Sequence, residues 1–144
     1  MIRQATVNDL GQLSVLASEF HNEATLPAKL DVGVWKRSWG NLMDIGAAVV
    51  LVKQEGYEFT GAIGCIIYPD MNSGEWTADE AFWFQSKGSR GGGLKLLKAM
   101  ESTLKELSIK RLFMIHLECL NGRLGRIYER MGYTKVETRY VKDL

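Results

Sequence analysis

The sequence is poor in the residues that define disulfide-rich or zinc-binding proteins. Of its 144 residues only two are cysteines, Cys65 and Cys119, which cannot form a disulfide framework and do not make a CxxC pair. Only two are histidines, His21 and His116, so a structural zinc site is not expected and no metal is predicted. Two reduced thiols in a metal-free protein are the simplest interpretation.

The sequence also lacks a strong charge of either sign and a long apolar run. Its 18 Lys and Arg residues nearly balance its 17 Asp and Glu residues, which leaves a net charge of +1. Proteins that coat nucleic acids or adhere to membranes are normally strongly basic, so neither partner is expected. No stretch approaches the roughly 18 apolar residues of a membrane span. Residues 1–4 lack the apolar core of a signal peptide, and a cytoplasmic protein is predicted.

The remaining composition is typical of one folded domain. The chain is 46% hydrophobic and 24% charged, and 144 residues can bury a sizeable core without metals or disulfides. There are two prolines, Pro27 and Pro69, and no low-complexity tract or internal repeat. Residues 1–144 are therefore predicted to form a single domain.

Hydrophobic periodicity and turn residues divide the chain into strands and helices. The predicted strands cover residues 2–6, 47–52, 59–68, 76–85, 111–117 and 133–141. Thr6 and Asp31 are good N-caps for the first two helices. The third helix begins at the glycines before Leu94, and the fourth covers residues 121–131 with Gly132 as its C-cap. The order is β-α-α-β-β-β-α-β-α-β, a mixed α/β domain with one central sheet.

The most informative segment is the glycine-rich turn between the strand 76–85 and the third helix. Glycines stand at positions 88, 91, 92 and 93, and each glycine at a helix start weakens the helix by up to about 1 kcal/mol. A flexible turn is one explanation. A bound phosphate is the other, because the first amides of a helix are unsatisfied and carry partial positive charge. Nearby basic residues favour the phosphate: Lys87, Arg90, Lys95 and Lys98.

This turn lacks the Gly-Lys-Ser/Thr of a Walker loop and the GxGxxG of a dinucleotide-binding turn. It does resemble the cofactor signature of the GNAT superfamily of N-acetyltransferases, Q/R-x-x-G-x-G/A. The matching residues are Arg90-Gly91-Gly92-Gly93-Leu94-Lys95, in which Lys95 departs from the final small residue.

A second stretch is similar to a downstream feature of the same family. Asn121 precedes Tyr128 by seven residues, and Gly132-Tyr133 follow, while residues 2–10 resemble the family's first strand and helix. The resemblance thus spans nearly the whole chain. It implies a single GNAT-type domain with a twisted, mostly antiparallel sheet of six to seven strands flanked by about four helices.

The resemblance also implies acetyl-CoA as cosubstrate and places it on the chain. The pantetheine arm would pair, like a strand, with the backbone of Trp83, Phe84 and Gln85. The pyrophosphate would lie on the amides from Gly91 to Lys95. The residues implied in cofactor binding are Trp83, Phe84, Gln85, Arg90, Gly91, Gly92, Gly93, Leu94, Lys95 and Asn121.

Three residues are candidates for catalysis. Tyr128 aligns with the tyrosine that similar enzymes use as a general acid at the cofactor sulfur, although it could instead be a core tyrosine. Glu80 occupies the position equivalent to that of the general base in histone-type acetyltransferases, although it could be a salt-bridged sheet residue. His116 ends the strand 111–117. It occupies the position equivalent to that of the general base in ribosomal-protein alanine acetyltransferases, although it could be structural. Some members deprotonate the amine through water, and Glu118 is a weaker candidate.

The predicted function is transfer of an acetyl group from acetyl-CoA to a primary amine of a small molecule or a protein. The acceptor side would be built from residues around the first two helices and late loops: His21, Glu23, Trp35, Trp39, Met71, Asn72 and Glu75. A non-catalytic acyl-CoA-binding sensor of the same fold is one alternative, and a nucleotide-phosphate-binding protein of another α/β type is a second. A homodimer is compatible with the sequence, which leaves the oligomeric state open.

Overall fold

The computed structural model describes residues 1–24, 26–86, 92–117 and 122–144, and five strands and four α-helices lie within them. The strands are β1 (Ile2–Gln4), β2 (Ala48–Glu55), β3 (Glu58–Pro69), β4 (Trp76–Gln85) and β5 (Arg111–Phe113). The helices are α1 (Leu10–Glu23), α2 (Val32–Asp44), α3 (Gly92–Glu106) and α4 (Arg123–Arg130), with a 3-10 turn at Val7–Asp9. Through α4 this is the predicted order.

Side-chain caps mark where the first two helices begin, as predicted. Thr6 caps the 3-10 turn that leads into α1, and its N–H donates to the Asp9 carboxylate at 2.8 Å. Arg3 holds the same carboxylate through both terminal nitrogens at 2.9 Å. Asp31 caps α2 by accepting a hydrogen bond from the N–H of Val34 at 3.0 Å. The Asp31 bond satisfies a helix amide that has no partner within the helix.

The strands form one sheet in the order β1-β2-β3-β4-β5. The first four pair antiparallel, and β5 joins β4 in parallel. β2 and β3 form the predicted hairpin, which turns at Gly56, whose φ is +61°. The expectation of a mixed, mostly antiparallel sheet is therefore confirmed.

Two hydrophobic clusters, one on each face of the sheet, make up the core. The first lies between the sheet and α1 and α2 and contains Leu13, Trp39, Val50, Phe82 and Phe84. The second lies between the sheet and α3 and α4 and contains Leu51, Ile63, Cys65, Leu97, Met100 and Tyr128. Strand residues alternate between the two clusters, as the period of two along a strand requires.

The pairing of β4 is irregular at one place. Phe82 lies opposite Gly64 and Glu80 opposite Cys65, so Ala81 has no partner on β3 and forms a β-bulge. Pairing with β5 ends at Asp79 opposite Phe113, although β4 continues to Gln85. Beyond Asp79 the outer edge of β4 therefore has no strand partner among the described residues.

Two strand predictions are wrong. Residues 133–141 are not a strand, because their alternating side chains meet no neighbouring strand: Val136, Tyr140 and Val141 are 66%, 95% and 71% exposed. The strand expected over residues 111–117 stops at Phe113, where pairing with β4 stops. The described residues thus contain five strands in the sheet instead of six to seven.

The fourth helix lies within the range predicted for it. α4 begins at Arg123, and Asn121 lies outside the described residues. It ends at Arg130, and the predicted glycine, Gly132, follows with a φ of +91° that lets the N–H of Tyr133 reach the carbonyl of Tyr128 at 3.0 Å. Within the described ranges, no helix is long and apolar enough to cross a bilayer.

Gly64 tests the packing of the first cluster. A methyl group at this position would lie 2.5 Å from two ring atoms of Phe82. That ring is packed against Trp39 and Phe84, with ring centroids 4.8 Å away in both cases. We expect Gly64→Ala to lower the free energy of unfolding in urea by about 1–3 kcal/mol through overpacking.

Gly40→Ala in α2 is the matched control. Its methyl group would make an ordinary contact of 3.6 Å with Leu10. Replacing a helical glycine by alanine should then stabilise the fold by about 0.5–1 kcal/mol. Equal stability changes in the two variants would contradict the packing of Phe82 on Gly64.

Candidate active site

Glu80 is a buried carboxyl group on the α3 and α4 side of β4. The bulge at Ala81 gives it this direction, because Glu80 lies opposite Cys65 of the second cluster. Its exposed fraction is 7%. Burial raises its pKa from the ordinary 4.5 to about 8, and a hydrogen bond from the backbone N–H of Ile115 opposes part of that rise. Glu80 can therefore hold a proton at neutral pH and release it slightly above.

Tyr128 lies on the inner face of α4, close to Glu80. Its exposed fraction is 8%, and its hydroxyl donates to the carbonyl of Ile115 at 2.8 Å. The ring lies between those of Trp83 and Tyr133, with centroids 6.2 and 5.5 Å away. Burial, and then the neighbouring Glu80, raises the pKa of Tyr128 above its ordinary value. The phenol therefore stays protonated and can donate a hydrogen bond at any physiological pH.

One residue joins these two groups. The N–H of Ile115 serves the Glu80 carboxylate, and its carbonyl accepts the hydrogen bond of Tyr128. Ile115 lies two residues beyond the end of β5, where the chain has left the edge of β4. The structure thus brings Glu80 and Tyr128 together at the point where the two strands separate.

His116 is placed differently from the prediction. It does not end a strand, because β5 stops three residues earlier, at Phe113. Its side chain is exposed, and its ring lies against α4, where a methyl group on Gly125 would be 3.5 Å from Nδ1. His116 follows Ile115 directly and so stays near the candidate site. Glu118 lies outside the described residues.

The glycine-rich turn is described only from Gly92 onward. Arg90 and Gly91 lie outside the described residues, and α3 begins at Gly92. A methyl group on Gly92 would lie 2.7 Å from Nε2 of Gln85 and 2.7 Å from Nζ of Lys53. A methyl group on Gly93 would lie 3.0 Å from Oε1 of Gln85. Glycine at these positions lets two polar side chains approach the first turn of the helix.

Lys53 is a candidate that the sequence analysis missed. It lies opposite Gly61, which in turn lies opposite Gln85, so the three form a row across β2, β3 and β4. The Lys53 side chain is only 15% exposed, and its Nζ pairs with Glu55 at 3.0 Å. The sequence did contain a signal that could have identified Lys53 as a site residue. It lies two residues after Leu51 in β2 and therefore on the same inward face of the strand.

The other predicted cofactor residues divide between the two faces of β4. Trp83 packs against the second cluster, and Gln85 points toward α3, whereas Phe84 is buried in the first cluster. Phe84 can therefore contact a cofactor at the strand edge through its backbone but not through its side chain. Leu94 and Lys95 lie in the first turn of α3 with exposed side chains.

The predicted acceptor residues are partly core residues. Trp39 is buried and packs edge-on against Phe82, which fits the alternative of core packing. Trp35 is half-buried, with its ring 5.8 Å from that of Phe82. Glu75 pairs with Arg111 at 3.2 Å. In the described part of the chain, no three His, Cys, Asp or Glu side chains are grouped so as to hold a metal ion.

Solved structures resemble this fold, although no family model and no curated protein matches the sequence. An integron cassette protein from the Cole Harbour Salt Marsh metagenome is 21% identical, with a TM-score of 0.79 over 99% of this chain and 89% of that one. A predicted acetyltransferase from Clostridium acetobutylicum, crystallised with acetyl-CoA, is 16% identical, with a TM-score of 0.79 over 99% and 95%. A ribosomal-protein-alanine N-acetyltransferase from Brucella melitensis is 16% identical, with a TM-score of 0.77 over 100% and 98%.

The raised pKa of Glu80 predicts how stability depends on pH. The folded chain binds this proton more tightly than the unfolded chain, so the resulting stability is complete below pH 4.5 and is lost as pH rises through about 8. Relative to Glu80→Gln, the natural protein should lose on the order of a few kcal/mol of unfolding free energy across this window. Urea titrations at several pH values measure the difference.

Glu58→Gln provides the control, because Glu58 is an exposed glutamate at the start of β3. Its unfolding free energy should follow that of the natural protein throughout the window. Parallel pH profiles for the natural protein and Glu80→Gln would show that Glu80 has an ordinary pKa.

Proposed function

We propose that this chain, which has the fold of the GNAT acetyltransferases, transfers an acetyl group from acetyl-CoA to a primary amine. Its structural neighbours include proteins named as acetyltransferases, one of them crystallised with acetyl-CoA. The proposal takes residues 1–144 as a single catalytic domain that works in the cytoplasm without metal, nucleic acid or membrane. A homodimer stays a prediction.

The observation that carries the proposal is the meeting of Glu80 and Tyr128 at Ile115. A carboxyl group with a pKa of about 8 and a protonated phenol are bonded to the two sides of one residue's backbone. They lie where the outer edge of β4 loses its strand partner. A proton acceptor and a proton donor at an open strand edge are the groups that acyl transfer to an amine requires.

The free edge of β4 suits the cosubstrate. Backbone groups of Trp83, Phe84 and Gln85 can pair with the amides of the pantetheine arm in the manner of an added strand. At the end of that edge α3 begins, where its first amides and the ammonium of Lys53 can hold the pyrophosphate. Arg90, Gly91 and Asn121 complete the proposed set from the family resemblance.

The proposed chemistry assigns one proton transfer to each group. As the amine nitrogen bonds to the carbonyl carbon of the thioester, the ionised Glu80 accepts a proton from that nitrogen. As the carbon–sulfur bond breaks, Tyr128 gives its hydroxyl proton to the leaving sulfur, exchanging the carbonyl of Ile115 for a new acceptor. His116, or a water molecule held near it, is the alternative base.

A second candidate is an acyl-CoA-binding module without turnover. It is favoured by the same hydrogen bonds, because Glu80 and Tyr128 are already bonded to Ile115 and could serve only to hold the chain there. Free thiol released from acetyl-CoA with a broad panel of amines supports the enzyme. Tight binding of acetyl-CoA without thiol release from any amine would support the module.

Cofactor binding is tested at the start of α3. Gly92→Asp places a carboxylate and side-chain bulk beside Lys53 and Gln85, where the phosphate is proposed to lie. We expect calorimetry to show at least a tenfold loss of CoA affinity, because like charges repel in a partly buried site. Gly11→Asp, which meets nothing within 4 Å, should leave the affinity unchanged.

The outcomes of that titration separate the hypotheses. Normal CoA affinity in a folded Gly92→Asp variant would refute the phosphate position. Heat with ATP or NAD, and none with CoA, would instead support a nucleotide-phosphate-binding protein.

The pH dependence of the rate tests the catalytic groups. Because Glu80 must be ionised to act as a base, kcat/KM should rise with pH around a midpoint near 8. Glu80→Gln should remove this rise and lower the rate by about 10²–10⁴. Tyr128→Phe should lower kcat by at least about tenfold while leaving CoA affinity within a factor of two or so. A Glu80→Gln variant with the natural pH profile would assign the base to His116 or to water.

A further inference from the structure

Two consecutive carboxylates on β4 point to opposite faces of the sheet. Glu80 faces α3 and α4, so its neighbour Asp79 faces α1 and α2. In a regular strand, Asp79 and Phe82 would point to opposite faces, since they are three residues apart. The extra residue Ala81 puts both side chains on the same face. The half-buried carboxylate of Asp79 is therefore the next side chain on this face after the aromatic residues of the first cluster.

The wall beside Asp79 is aromatic. Asp79 lies opposite Ile66, which packs against the first cluster, and the next pair on the same face of the sheet is Phe82 and Gly64. The ring of Trp35 lies 5.8 Å from that of Phe82 and is only half-buried, so part of it faces solvent. Aromatic faces of this kind attract methylene groups and organic cations.

The Asp79 carboxylate lies close to the hydroxyl of Tyr68 on β3. Burial, and then the neighbouring Asp79, raises the pKa of Tyr68. The negative charges of Asp70 and Glu137 near Tyr68 add to the rise. A carboxylate offers about four acceptor positions, so Asp79 can bind Tyr68 and an ammonium group together.

The two faces of β4 meet at the opening between β4 and β5. Pairing of these strands ends at Asp79, and Ala81 beside the opening is exposed. An amine that reaches Glu80 through this opening from the α1 and α2 side passes Asp79. A positively charged group elsewhere on the same molecule can then bind there.

We propose that Asp79, which lies on the same face of β4 as Phe82, determines acceptor specificity by binding a second positive charge on the substrate. The inference rests on the proposed function. The substrate class it names is diamines and other amines that carry a second cationic group. Asp79 is assigned to binding and Glu80 to proton transfer.

The test compares two acceptors of equal carbon number, diaminobutane and butylamine, with acetyl-CoA at saturation. We expect kcat/KM for the diamine to exceed that for the monoamine by at least about tenfold, the range of a charge-assisted hydrogen bond. Asp79→Asn should abolish this preference by raising KM for the diamine at unchanged kcat. It should leave both constants for butylamine, and the pH profile, as they are.

Asp44→Asn is the matched control, since it removes the same charge from an exposed position in the last turn of α2. It should keep the diamine preference. Tyr68→Phe should reduce the preference partly, because it removes the hydroxyl that lies close to the carboxylate. Melting temperatures of all variants verify folding.

Each remaining outcome overturns a distinct claim. Turnover with no diamine preference in the natural protein, or a preference that survives Asp79→Asn, refutes the inference and leaves the acetyltransferase intact. Binding of acetyl-CoA with no turnover of any amine refutes the proposed function and the inference with it.

Discussion

The loss of regular pairing along β4 brings Glu80 and Tyr128 together in the candidate site. Ala81 adds one residue opposite β3, and this turns Glu80 away from the aromatic cluster that contains Phe82. A regular strand would direct the Glu80 carboxylate into that largely apolar cluster, where a buried charge is costly. With the bulge, the carboxylate instead meets the N–H of Ile115, which is free because β5 has already left the ladder.

A second constraint is electrostatic and acts at the end of β4 that leads into α3. The ammonium of Lys53 lies beside the first turn of α3, whose amides carry partial positive charge. Two positive groups so close to each other repel, and Glu55, which pairs with Lys53, is itself largely exposed to solvent. An anion between Lys53 and the helix would stabilise both. The same argument explains why a glycine is needed at position 92, since a side chain would occupy that space.

Local signals predicted the elements whose interactions lie within a few residues. Thr6 and Asp31 cap nearby amides, and the turn at Gly56 joins two strands that pair with each other. Elements that depend on a distant partner were predicted less well. The alternation over residues 133–141 is a strand pattern, but a strand also requires a neighbour with free backbone groups, which no periodicity can supply. The prediction that His116 lies on a strand is wrong for the same reason, because β5 stops at Phe113.

The order of the elements through α4, the glycines at the start of α3, and the candidates Glu80 and Tyr128 could all be predicted from local composition or from the family resemblance. The folded chain was needed to show that Glu80 and Tyr128 share Ile115, that Lys53 lies beside Gly92, and that Asp79 and Phe82 point to one face. These arrangements depend on strand register and on one unpaired residue. A shift of one position reverses the direction of a side chain, and pairing between distant segments sets that position.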